Sequence, residues 1–392
     1  KHALLKRDVS HLTFPDEVQT VSVSKETKAQ TPKGRIAPLS IAPPKESLDK
    51  AMDMLRESKR PVIIVGHGAR FHMESITELA ETLHCPVLTT FKGKGQISDL
   101  HPLGCGVLGR SGTPVASYFM NESDLLLVIG ASFSNHTGIT PKKPTIQIDF
   151  DPLALSKFHS IEAPVWGEIS ATVKLLLEKS ETLKANKIDQ RDEIARRWKI
   201  WRTEKNKRLK EDRGKGISSV VIFDALTKLA PENAVICVDV GNNAYSLGRY
   251  FETVQHTFLM SGYLGSIGFA FPAAMGAWAA VGNQRPIIAV AGDGGFAQYM
   301  AEFTTAVKYN MPIKVIILNN NELGKISKEQ RAGEFGVFET NLVNPDFARY
   351  AESCGGLGIR IQQNSEVKPA LEKLFAHNGP ALLECLTDVK LV

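Results

Sequence analysis

Residues 287–330 read IIAVAGDGGFAQYMAEFTTAVKYNMPIKVIILNNNELGKISKEQ, and this stretch decides the fold. An apolar run rich in branched residues at 287–291 ends in a Gly-Asp-Gly turn, which is typical of a strand buried on both faces. Apolar side chains then recur at helical spacing over 296–309, and a second apolar run follows at 315–318. The pattern predicts a strand, a helix and a parallel strand, whose two strands end on the same edge of a sheet.

Polar side chains stand at both of these strand ends. Asp293 follows the first strand and Asn320 follows the second, so the unit is expected to bring a carboxylate and an amide oxygen together. Oxygen ligands suit Mg²⁺, which usually completes its shell with water and substrate phosphates, and the backbone amides after Gly294 and Gly295 open a helix whose N-terminus attracts anions. Either motif alone is more often an ordinary turn or strand exit. Together they predict a magnesium-bridged diphosphate as ligand.

A Gly-Asp-Gly turn followed by Asn-Asn after such a unit resembles the diphosphate and metal motif of thiamine diphosphate (ThDP) enzymes. The resemblance implies that Asp293, the Asn320 side chain and the Glu322 carbonyl bind the metal. It also implies two further cofactor turns, VGNN and GYLGSIGFAFPAAMGA, the second of which supplies the Gly265 carbonyl to the aminopyrimidine and Ile267 to bend the cofactor. The implied ThDP-binding residues are Gly241, Asn242, Asn243, Gly265, Ser266, Ile267, Gly292, Gly294, Gly295, Asn320 and Gly324.

Length and composition indicate a globular protein with more than one domain. The chain has 392 residues, of which 43% are hydrophobic and 23% charged. No apolar run approaches the length of a transmembrane helix, and no signal peptide is recognisable. Five scattered cysteines without a CxxC pair suggest reduced thiols, which predicts a cytoplasmic protein.

The chain divides into four segments of different character. Residues 1–44 lack an initiating Met, contain HLTFPDEVQ, which resembles the end of the family's N-terminal pyrimidine-binding domain, and continue as a linker. Residues 45–180 alternate strands and helices, which predicts a Rossmann-like central domain. Residues 181–215 are expected to form a linker helix and residues 216–392 the diphosphate-binding domain. We therefore expect an α/β protein with two doubly wound parallel-sheet domains joined by a charged helix.

The resemblance also implies something outside this sequence. The family's pyrimidine-binding domain carries the glutamate that activates the cofactor, and that domain is otherwise absent here. We therefore expect the chain by itself to be inactive.

The linker segment carries much of the positive charge. Residues 184–213 contain twelve Lys or Arg against six Asp or Glu. Ile194, Trp198 and Trp201 fall on one helical stripe, which predicts a helix docked through its aromatic side chains. Because no recognisable nucleic-acid-binding fold accompanies the basic residues, no nucleic-acid partner is expected.

Glycine-bearing turns after several strands leave two interpretations of the central domain open. It is either a structural spacer, as in simple ThDP decarboxylases, or an FAD-binding domain. The flavin-contacting segments of pyruvate oxidases and quinone-linked pyruvate dehydrogenases resemble GHGAR, TFKGKG and QIDFDP of this sequence. The resemblance to acetohydroxyacid synthases is less close, because those enzymes usually carry an arginine near Ser132 that is missing here. FAD is the favoured interpretation. The implied contacts are Gly66, Gly68, Ala69, Arg70, Lys94, Gly109, Gly130, Ser132 and Asp149.

The catalytic candidates lie just beyond the asparagines. KISKEQ at 325–330 resembles the start of the pyruvate oxidase active-site helix, which implies that Ile326 and Glu329 face the reacting carbon. Their offset of three residues puts both on one helical face. A lone Glu in a charged helix is nevertheless more often solvated.

The resemblance implies a magnesium- and ThDP-dependent homo-oligomer, a dimer or tetramer, that acts on a small 2-keto acid, with pyruvate expected. Oxidative decarboxylation of pyruvate with FAD is the favoured function. The alternative is an acetolactate synthase-like carboligase, and the alternative of another class is a non-catalytic ThDP-fold fragment. In quinone-linked relatives a further C-terminal tail contacts membrane lipid, so peripheral membrane contact would require a segment that this sequence does not contain.

Overall fold

The structure is a computed structural model that describes residues 1–6, 9–28, 31 and 33–390. The chain forms two units, of which the first ends at Ile41 and the second begins at Ala42. The first unit contains two short helices, α1 (His2–Lys6) and α2 (Asp16–Gln19). The second of these comprises the last four residues of HLTFPDEVQ, the segment that resembles the closing strand and exit of the family's N-terminal pyrimidine-binding domain.

The second unit contains two six-stranded parallel sheets, and the first of them is built from residues 61–166. Its strands are β1 (Pro61–Val65), β2 (Val87–Thr89), β3 (Gly104–Val107), β4 (Leu125–Ile129), β5 (Thr145–Asp149) and β6 (Ala163–Trp166). Their order in the sheet is β3-β2-β1-β4-β5-β6. The order reverses between β1 and β4, so a crevice is expected beyond the carboxyl ends of these two strands.

The second sheet is also entirely parallel. Its strands are β7 (Val235–Val238), β8 (Thr257–Met260), β9 (Ile287–Gly292), β10 (Lys314–Asn319), β11 (Leu357–Ile361) and β12 (Ala381–Leu386). They are arranged β11-β12-β10-β9-β7-β8. The predicted neighbours β9 and β10 pair in parallel with Val290 opposite Ile316, and the strand order reverses between β7 and β9.

Helices pack on the two sheets and connect them. Five accompany the first sheet, namely α3 (Lys45–Glu57), α4 (Met73–Leu83), α5 (Pro114–Glu122), α6 (Ile169–Leu177) and α7 (Ser180–Leu183). The helix α8 (Arg191–Arg208) joins the sheets. The rest are α9 (Ser219–Leu229), α10 (Asn242–Tyr250), α11 (Ala270–Val281), α12 (Asp293–Ala297), α13 (Phe303–Lys308), α14 (Gly324–Ala332), α15 (Phe347–Ser353) and α16 (Val367–Ala376).

Both faces of the second sheet are buried, as the apolar run at 287–291 predicts. Along β9, Ile288 and Val290 enter one hydrophobic core, while Ile287, Ala289 and Ala291 enter the other. Because successive side chains of a strand point to opposite faces, this alternation requires helices on both sides. The predicted α/β fold with two doubly wound parallel sheets is thereby confirmed.

The joining helix α8 docks through its aromatic stripe. Ile194, Trp198 and Trp201 are buried, and the Trp198 indole Nε1 donates a hydrogen bond to the Gly104 carbonyl on β3 at 2.8 Å. Among the described residues, no helix has both the length and the apolar character needed to cross a bilayer.

The predicted helix over 296–309 is interrupted. Helix α12 ends at Ala297, a 3-10 turn covers Met300–Glu302, and α13 then begins at Phe303. The backbone leaves the α-helical region at Tyr299, whose φ is −128° and ψ 17°. Gln298 and Tyr299 pack against Gly268, where even a Cβ atom would lie 2.6 Å from the Gln298 Oε1 atom. The interruption thus brings the glycine-rich turn of residues 262–269 close to α12.

Candidate functional site

Asp293 begins α12 at the carboxyl end of β9, beside the point where the strand order reverses. Its side chain is only 3% exposed, and its Oδ2 atom accepts a hydrogen bond from Asn344 Nδ2 at 2.7 Å. Burial raises the pKa of the carboxyl above its ordinary value, although Asn344 and the backbone amides of Gly294 and Asn321 act in the opposite direction. The buried anion is therefore incompletely compensated by its protein partners, which favours binding of a cation.

Three consecutive asparagines, which begin with the last residue of β10, surround this carboxylate unequally. Asn319 Oδ1 and Asn321 Oδ1 each accept from Asn344 Nδ2 at 3.1 Å, so both connect to Asp293 through Asn344. The Asn320 side chain instead turns back onto its own chain, where its Oδ1 accepts from the Glu322 amide at 3.0 Å. The structure therefore groups Asn319, Asn321 and Asn344 with Asp293, whereas the sequence pointed to Asn320.

Glu322 lies between this asparagine segment and α14. Its carbonyl, the predicted metal ligand, accepts a hydrogen bond from the Gly324 amide at 2.7 Å. Its carboxylate Oε1 accepts from Arg331 Nη2 at 3.3 Å and from Thr340 Oγ1 at 3.4 Å. The Leu323 amide donates to the Thr340 carbonyl at 2.7 Å, so residues 340–342 run antiparallel to 321–323 and bring Asn344 back to the site.

A second buried carboxylate, Asp239, follows β7 on the other side of the reversal point. It accepts hydrogen bonds from the backbone amides of Val240 at 2.8 Å, Gly268 at 3.1 Å and Phe269 at 3.2 Å. Desolvation nevertheless raises its pKa above the ordinary value. A Cβ atom on Gly295 would lie 2.1 Å from Asp239 Oδ2, so the glycine at this position leaves the room that the carboxylate occupies. Asp239 thus ties the turn of residues 262–269 to β7, a role that sequence reasoning missed.

Two of the predicted ThDP glycines have backbones that other residues rarely adopt. Gly241 has a φ of +128° and Gly265 a φ of +74°, and an added Cβ on Gly265 would meet nothing within 4 Å. A Cβ on Gly324 would lie 3.1 Å from the Nδ2 atoms of both Asn242 and Asn320. These three glycines therefore keep backbone close to the site without blocking it.

The other predicted ThDP residues lie around the same strand ends. Asn243 Nδ2 donates to the Asp239 carbonyl at 2.9 Å, and Gly292 is the last residue of β9. Gly294 leaves room for Leu323 and Leu342, each 3.0 Å from the position of an added Cβ. Ser266 is exposed, and its Oγ donates to the carbonyl of the half-buried Ile267 at 3.1 Å.

A cleft of about 490 Å³ separates the carboxyl edges of the two sheets. The first sheet contributes residues that follow β1, β2, β3 and β4, and the second contributes residues at or after the ends of β7, β8 and β10. The polar side chains of its lining include those of His67, Lys92, Ser132, His136, Tyr245 and Lys325. Gly241 and Gly265 also line it, so the cleft adjoins the predicted diphosphate side of the cofactor.

The nine predicted FAD contacts are distributed unequally around this cleft. Gly130 and Ser132 line it directly. Gly66 and Gly68 pack against Gly130, since an added Cβ would lie 2.3 Å and 2.9 Å, respectively, from the Gly130 carbonyl oxygen. Gly109 has a φ of +99° and packs against the carbonyls of residues 136 and 137.

Three more predicted FAD contacts are not among the residues that line the cleft. Ala69 is fully buried, and Arg70 Nη1 donates to the His67 carbonyl at 2.8 Å. Asp149 accepts from the Asp151 amide at 2.9 Å, and burial raises the pKa of its carboxyl.

Lys94 does not reach the cleft. Its ammonium is buried and pairs with Asp99 at 3.2 Å, with the rings of Phe251 and Phe258 within 6 Å. Lys92, two residues earlier, lines the cleft instead. The intervening 3-10 turn (Phe91–Gly93) directs the two lysines to different environments, which the TFKGKG motif did not reveal.

Electrostatics differ along the cleft. Burial, reinforced by Arg70 and Lys92, lowers the pKa of His67 to about 4, so this imidazole is neutral near pH 7. On α14, Ile326 is 47% exposed and Glu329 is exposed, forming an ion pair with Lys325. Lys325 is the main reason that the pKa of Glu329 is lowered. The two catalytic candidates are thus surface groups in this structure.

These features define a class of protein. One parallel sheet has the strand order of a dinucleotide-binding fold, and the other holds a buried carboxylate and an asparagine-rich loop at its own reversal point. Because the two carboxyl edges face one cleft, this is an α/β protein suited to binding a phosphate-bearing organic cofactor.

Comparison with known proteins identifies the family. Residues 239–385 match the model described as "Thiamine pyrophosphate enzyme, C-terminal TPP binding domain", and residues 48–176 match "Thiamine pyrophosphate enzyme, central domain". The chain belongs to the thiamine pyrophosphate enzyme family. Asp239 and Asp293 both fall within the matched C-terminal region.

Relatives support the assignment. The chain is 30% identical over 98% of its length to the "Putative thiamine pyrophosphate-containing protein YdaP" of Bacillus subtilis, of which the match covers 66%. It is 31% identical to a "Probable acetolactate synthase large subunit" of Methanococcus aeolicus, over 96% of this chain and 67% of that protein. The mitochondrial acetolactate synthase catalytic subunit of Saccharomyces cerevisiae is 28% identical over 88% of this chain and 53% of its own length. The chain thus spans about two thirds or less of these relatives.

Proposed function

We propose that the protein is a ThDP- and magnesium-dependent enzyme that decarboxylates a 2-keto acid and joins the remaining carbons to a second keto acid, as an acetolactate synthase-like carboligase. The observation that carries this proposal is the buried Asp293 carboxylate at the β7/β9 reversal point, inside the region that matches the TPP-binding domain. The names of the methanogen and yeast relatives favour carboligation over other reactions of the family. Pyruvate is the proposed substrate and a homo-oligomer the proposed assembly.

The residues present fit a magnesium ion. Asp293, Asn320 and the Glu322 carbonyl would supply oxygen ligands, the kind that Mg²⁺ prefers. The Asn320 Oδ1 atom and the Glu322 carbonyl each accept a hydrogen bond from a nearby backbone amide. A carbonyl oxygen has two lone pairs, so one such bond does not prevent it from binding a cation.

The residues also fit the cofactor. When bound, ThDP supplies a carbanion that attacks the keto acid and stabilises the charge left after CO₂ departs. This chain would hold the diphosphate through Gly241 and the backbone that follows Gly292, while Asp239 fixes the turn that carries Ile267. Lys325 and His67 line the cleft beside these residues, where a neutral imidazole and an ammonium can orient a small anionic substrate.

FAD is proposed for the first-sheet side of the cleft. Its support is the strand order, since the crevice at the β1/β4 reversal point is where dinucleotides bind in such sheets. Gly130, Ser132 and Lys92 are among the residues of that side that line the cleft, and these three would contact the flavin. The close packing of Gly66 and Gly68 against Gly130 would shape the turn beneath it.

Oxidative decarboxylation of pyruvate is the second candidate. It is favoured by the position of α14, because Lys325 lines the cleft and Glu329 is influenced electrostatically by Arg110 and His136 of the first-sheet side. Under this candidate Ile326 and Glu329 would face the reacting carbon, as the resemblance to the pyruvate oxidase helix implies.

Product analysis separates the two candidates. The purified full-length protein is incubated with pyruvate, ThDP and Mg²⁺, and its visible absorption spectrum is recorded. Acetolactate as the main product supports the carboligase, whereas acetate or acetyl phosphate with flavin bleaching supports the oxidase instead. ThDP binding without either product would contradict both and favour a non-catalytic protein. An Asp293→Ala variant provides the background in each assay.

A further inference from the structure

A chain of side-chain hydrogen bonds runs from the interior of the second sheet to Asp293. Glu384, on β12, is fully buried, and its Oε1 atom accepts from Asn319 Nδ2 at 2.7 Å. Asn319 Oδ1 accepts from Asn344 Nδ2 at 3.1 Å, and the same nitrogen donates to Asp293 Oδ2 at 2.7 Å. Two carboxylates are thus joined by two amides, and the metal ligand proposed above is at one end.

The chemistry of the two ends fixes the direction of every bond in this chain. An ionised carboxylate can only accept, so the group that Asn319 turns toward Glu384 is its NH₂, and its oxygen is left facing Asn344. Asp293 imposes the same condition on Asn344, whose NH₂ must face it. The orientation that Glu384 gives Asn319 therefore places an oxygen, like the Asn321 Oδ1 atom, 3.1 Å from Asn344 Nδ2, the nitrogen that donates to Asp293.

Glu384 has little else to hold it in the core. Its Oε2 atom accepts from the Ala348 amide at 3.3 Å, and Arg360 Nε lies 3.8 Å away. Arg360 makes a shorter contact of 2.7 Å with Asp346 and is itself partly exposed. A buried carboxylate is costly unless its hydrogen bonds are satisfied, so the 2.7 Å bond to Asn319 is its principal compensation.

We infer that Glu384 is a positioning residue for the metal site, which acts through Asn319 and Asn344 on the Asp293 carboxylate. The inference rests on the proposed function, because it takes Asp293 as a metal ligand. Glutamine at position 384 would have to turn its NH₂ toward either Asn319 or the Ala348 amide, and both of those groups are donors. Either orientation disrupts the chain while changing the volume of the side chain very little.

The test compares Mn²⁺ affinity in five variants of the full-length protein, with ThDP held at a fixed saturating concentration and free Mn²⁺ followed by electron paramagnetic resonance. Glu384→Gln and Asn319→Ala should each weaken Mn²⁺ binding by about 10-fold, the lower end of the 10–100-fold loss that is typical when a direct partner of a metal ligand is removed. The double variant should lose no more than either single variant, since both interrupt one chain. Arg360→Met is the matched control, because Arg360 lies near the same carboxylate without belonging to the hydrogen-bond chain. The Mn²⁺ affinity of this variant should stay within about threefold of wild type. The thermal midpoint of every variant is recorded in parallel.

Asp293→Asn distinguishes failure of this inference from failure of the metal site. Loss of Mn²⁺ binding in Asp293→Asn together with affinity retained within about threefold in Glu384→Gln and Asn319→Ala would overturn the role of Glu384 alone. Equal losses in Arg360→Met, or additive losses in the double variant, would also overturn it. Unchanged Mn²⁺ binding in Asp293→Asn would refute the metal site and the inference together. If Glu384→Gln does not fold, Asn319→Ala carries the same criterion.

Discussion

The two reversal points of the molecule have the same topology and different chemistry. At the β1/β4 point glycines follow both strands, and Gly66 and Gly68 pack their backbones directly against Gly130. At the β7/β9 point the strand ends carry Asp239 and Asp293, both buried and both with a raised pKa. The arrangement of strands opens a crevice at each point, but the side chains that follow the strands decide what can bind there.

The two reversal points therefore differ both in shape and in charge. The glycine-lined point offers close backbone approach and a neutral His67, which suits a large planar or dinucleotide ligand. The carboxylate-lined point offers anions that their protein partners do not fully compensate, which suits a cation and the phosphates it bridges. The two points therefore differ in the kind of ligand that they favour.

The largest expected effect is at the carboxylate-lined point. Asp293→Ala should abolish magnesium-dependent ThDP binding, because Asp293 is the only charged ligand proposed for the metal. Asp239→Ala should weaken ThDP binding less, since the hydrogen bonds that Asp239 accepts within the described part of the chain come from backbone amides. Isothermal calorimetry with ThDP and Mg²⁺ measures both. Equal ThDP affinity in wild type and Asp293→Ala would remove the basis of the site.

Next in size is the effect of changing Lys94 at the boundary between the two sheets. Lys94→Met leaves Asp99 in a buried position without its cation, and breaking a buried pair typically costs about 3 kcal/mol or more. Lys92→Met should change the free energy of unfolding by less than about 0.5 kcal/mol, since Lys92 lines the open cleft. Urea denaturation of both variants measures the difference. Similar losses of unfolding free energy in the two variants would mean that Lys94 is not the buried one of the two lysines.

Adding a methyl group at the glycine-lined point should cost less than losing the buried ion pair. In Gly66→Ala the new Cβ would lie 2.3 Å from the Gly130 carbonyl oxygen and 2.4 Å from Ala131 Cα, and neither backbone group can move aside easily. We expect a loss of about 2 kcal/mol, within the usual range for overpacking. Gly276→Ala is the control, because its Cβ would meet nothing within 4 Å on helix α11, and it should stabilise by about 0.5–1 kcal/mol.

The sequence predicted the fold because its signals are local. The buried apolar runs, the glycine turns and the Gly-Asp-Gly and Asn-Asn motifs each act over a few residues, and the parallel βαβ rule connects them. Asp293 and the β9–β10 pair were found in this way. The stripe of Ile194, Trp198 and Trp201 likewise needs only helical periodicity.

The parts of the site that the sequence did not reveal depend on non-local contacts. Asn344 reaches Asp293 only because residues 340–342 fold back on 321–323, and no motif marks that return. The roles of Lys92 and Lys94 are set by one 3-10 turn, which the motif TFKGKG does not encode visibly. A pattern can name the residue types near a site, whereas the orientation of each side chain is decided by tertiary packing.

Acidification should change the contributions of the two reversal points to stability in opposite directions. At the glycine-lined point the titrating group is His67. Its pKa is lowered to about 4 in the folded state, against about 6.5 when unfolded, so the unfolded state binds the proton more tightly. This histidine therefore destabilises the fold as pH falls from about 6.5 toward 4. Wild type should lose more unfolding free energy than His67→Gln over that interval, measured by urea denaturation in metal-free buffer. An identical pH dependence in the two proteins would contradict the lowered pKa.

The smallest expected effect is the reverse case at Asp293. Its pKa is raised in the folded, metal-free chain, so its contribution to stability is present below the unfolded value of about 4 and is lost as pH rises through the folded value. In Asp293→Asn the side chain stays neutral, so this pH-dependent loss of stability does not occur, and the amide oxygen can still accept the hydrogen bond from Asn344. Without metal, the variant should therefore be slightly more stable than wild type at pH 7, by less than about 1 kcal/mol. The difference should shrink as the pH approaches 4. Adding Mg²⁺ with ThDP should invert the order at pH 7, because a ligand stabilises only the protein that binds it. A variant that is less stable than wild type without metal at pH 7 would show that the carboxylate is well compensated by its own chain, and the contrast between the two reversal points would then rest on geometry alone.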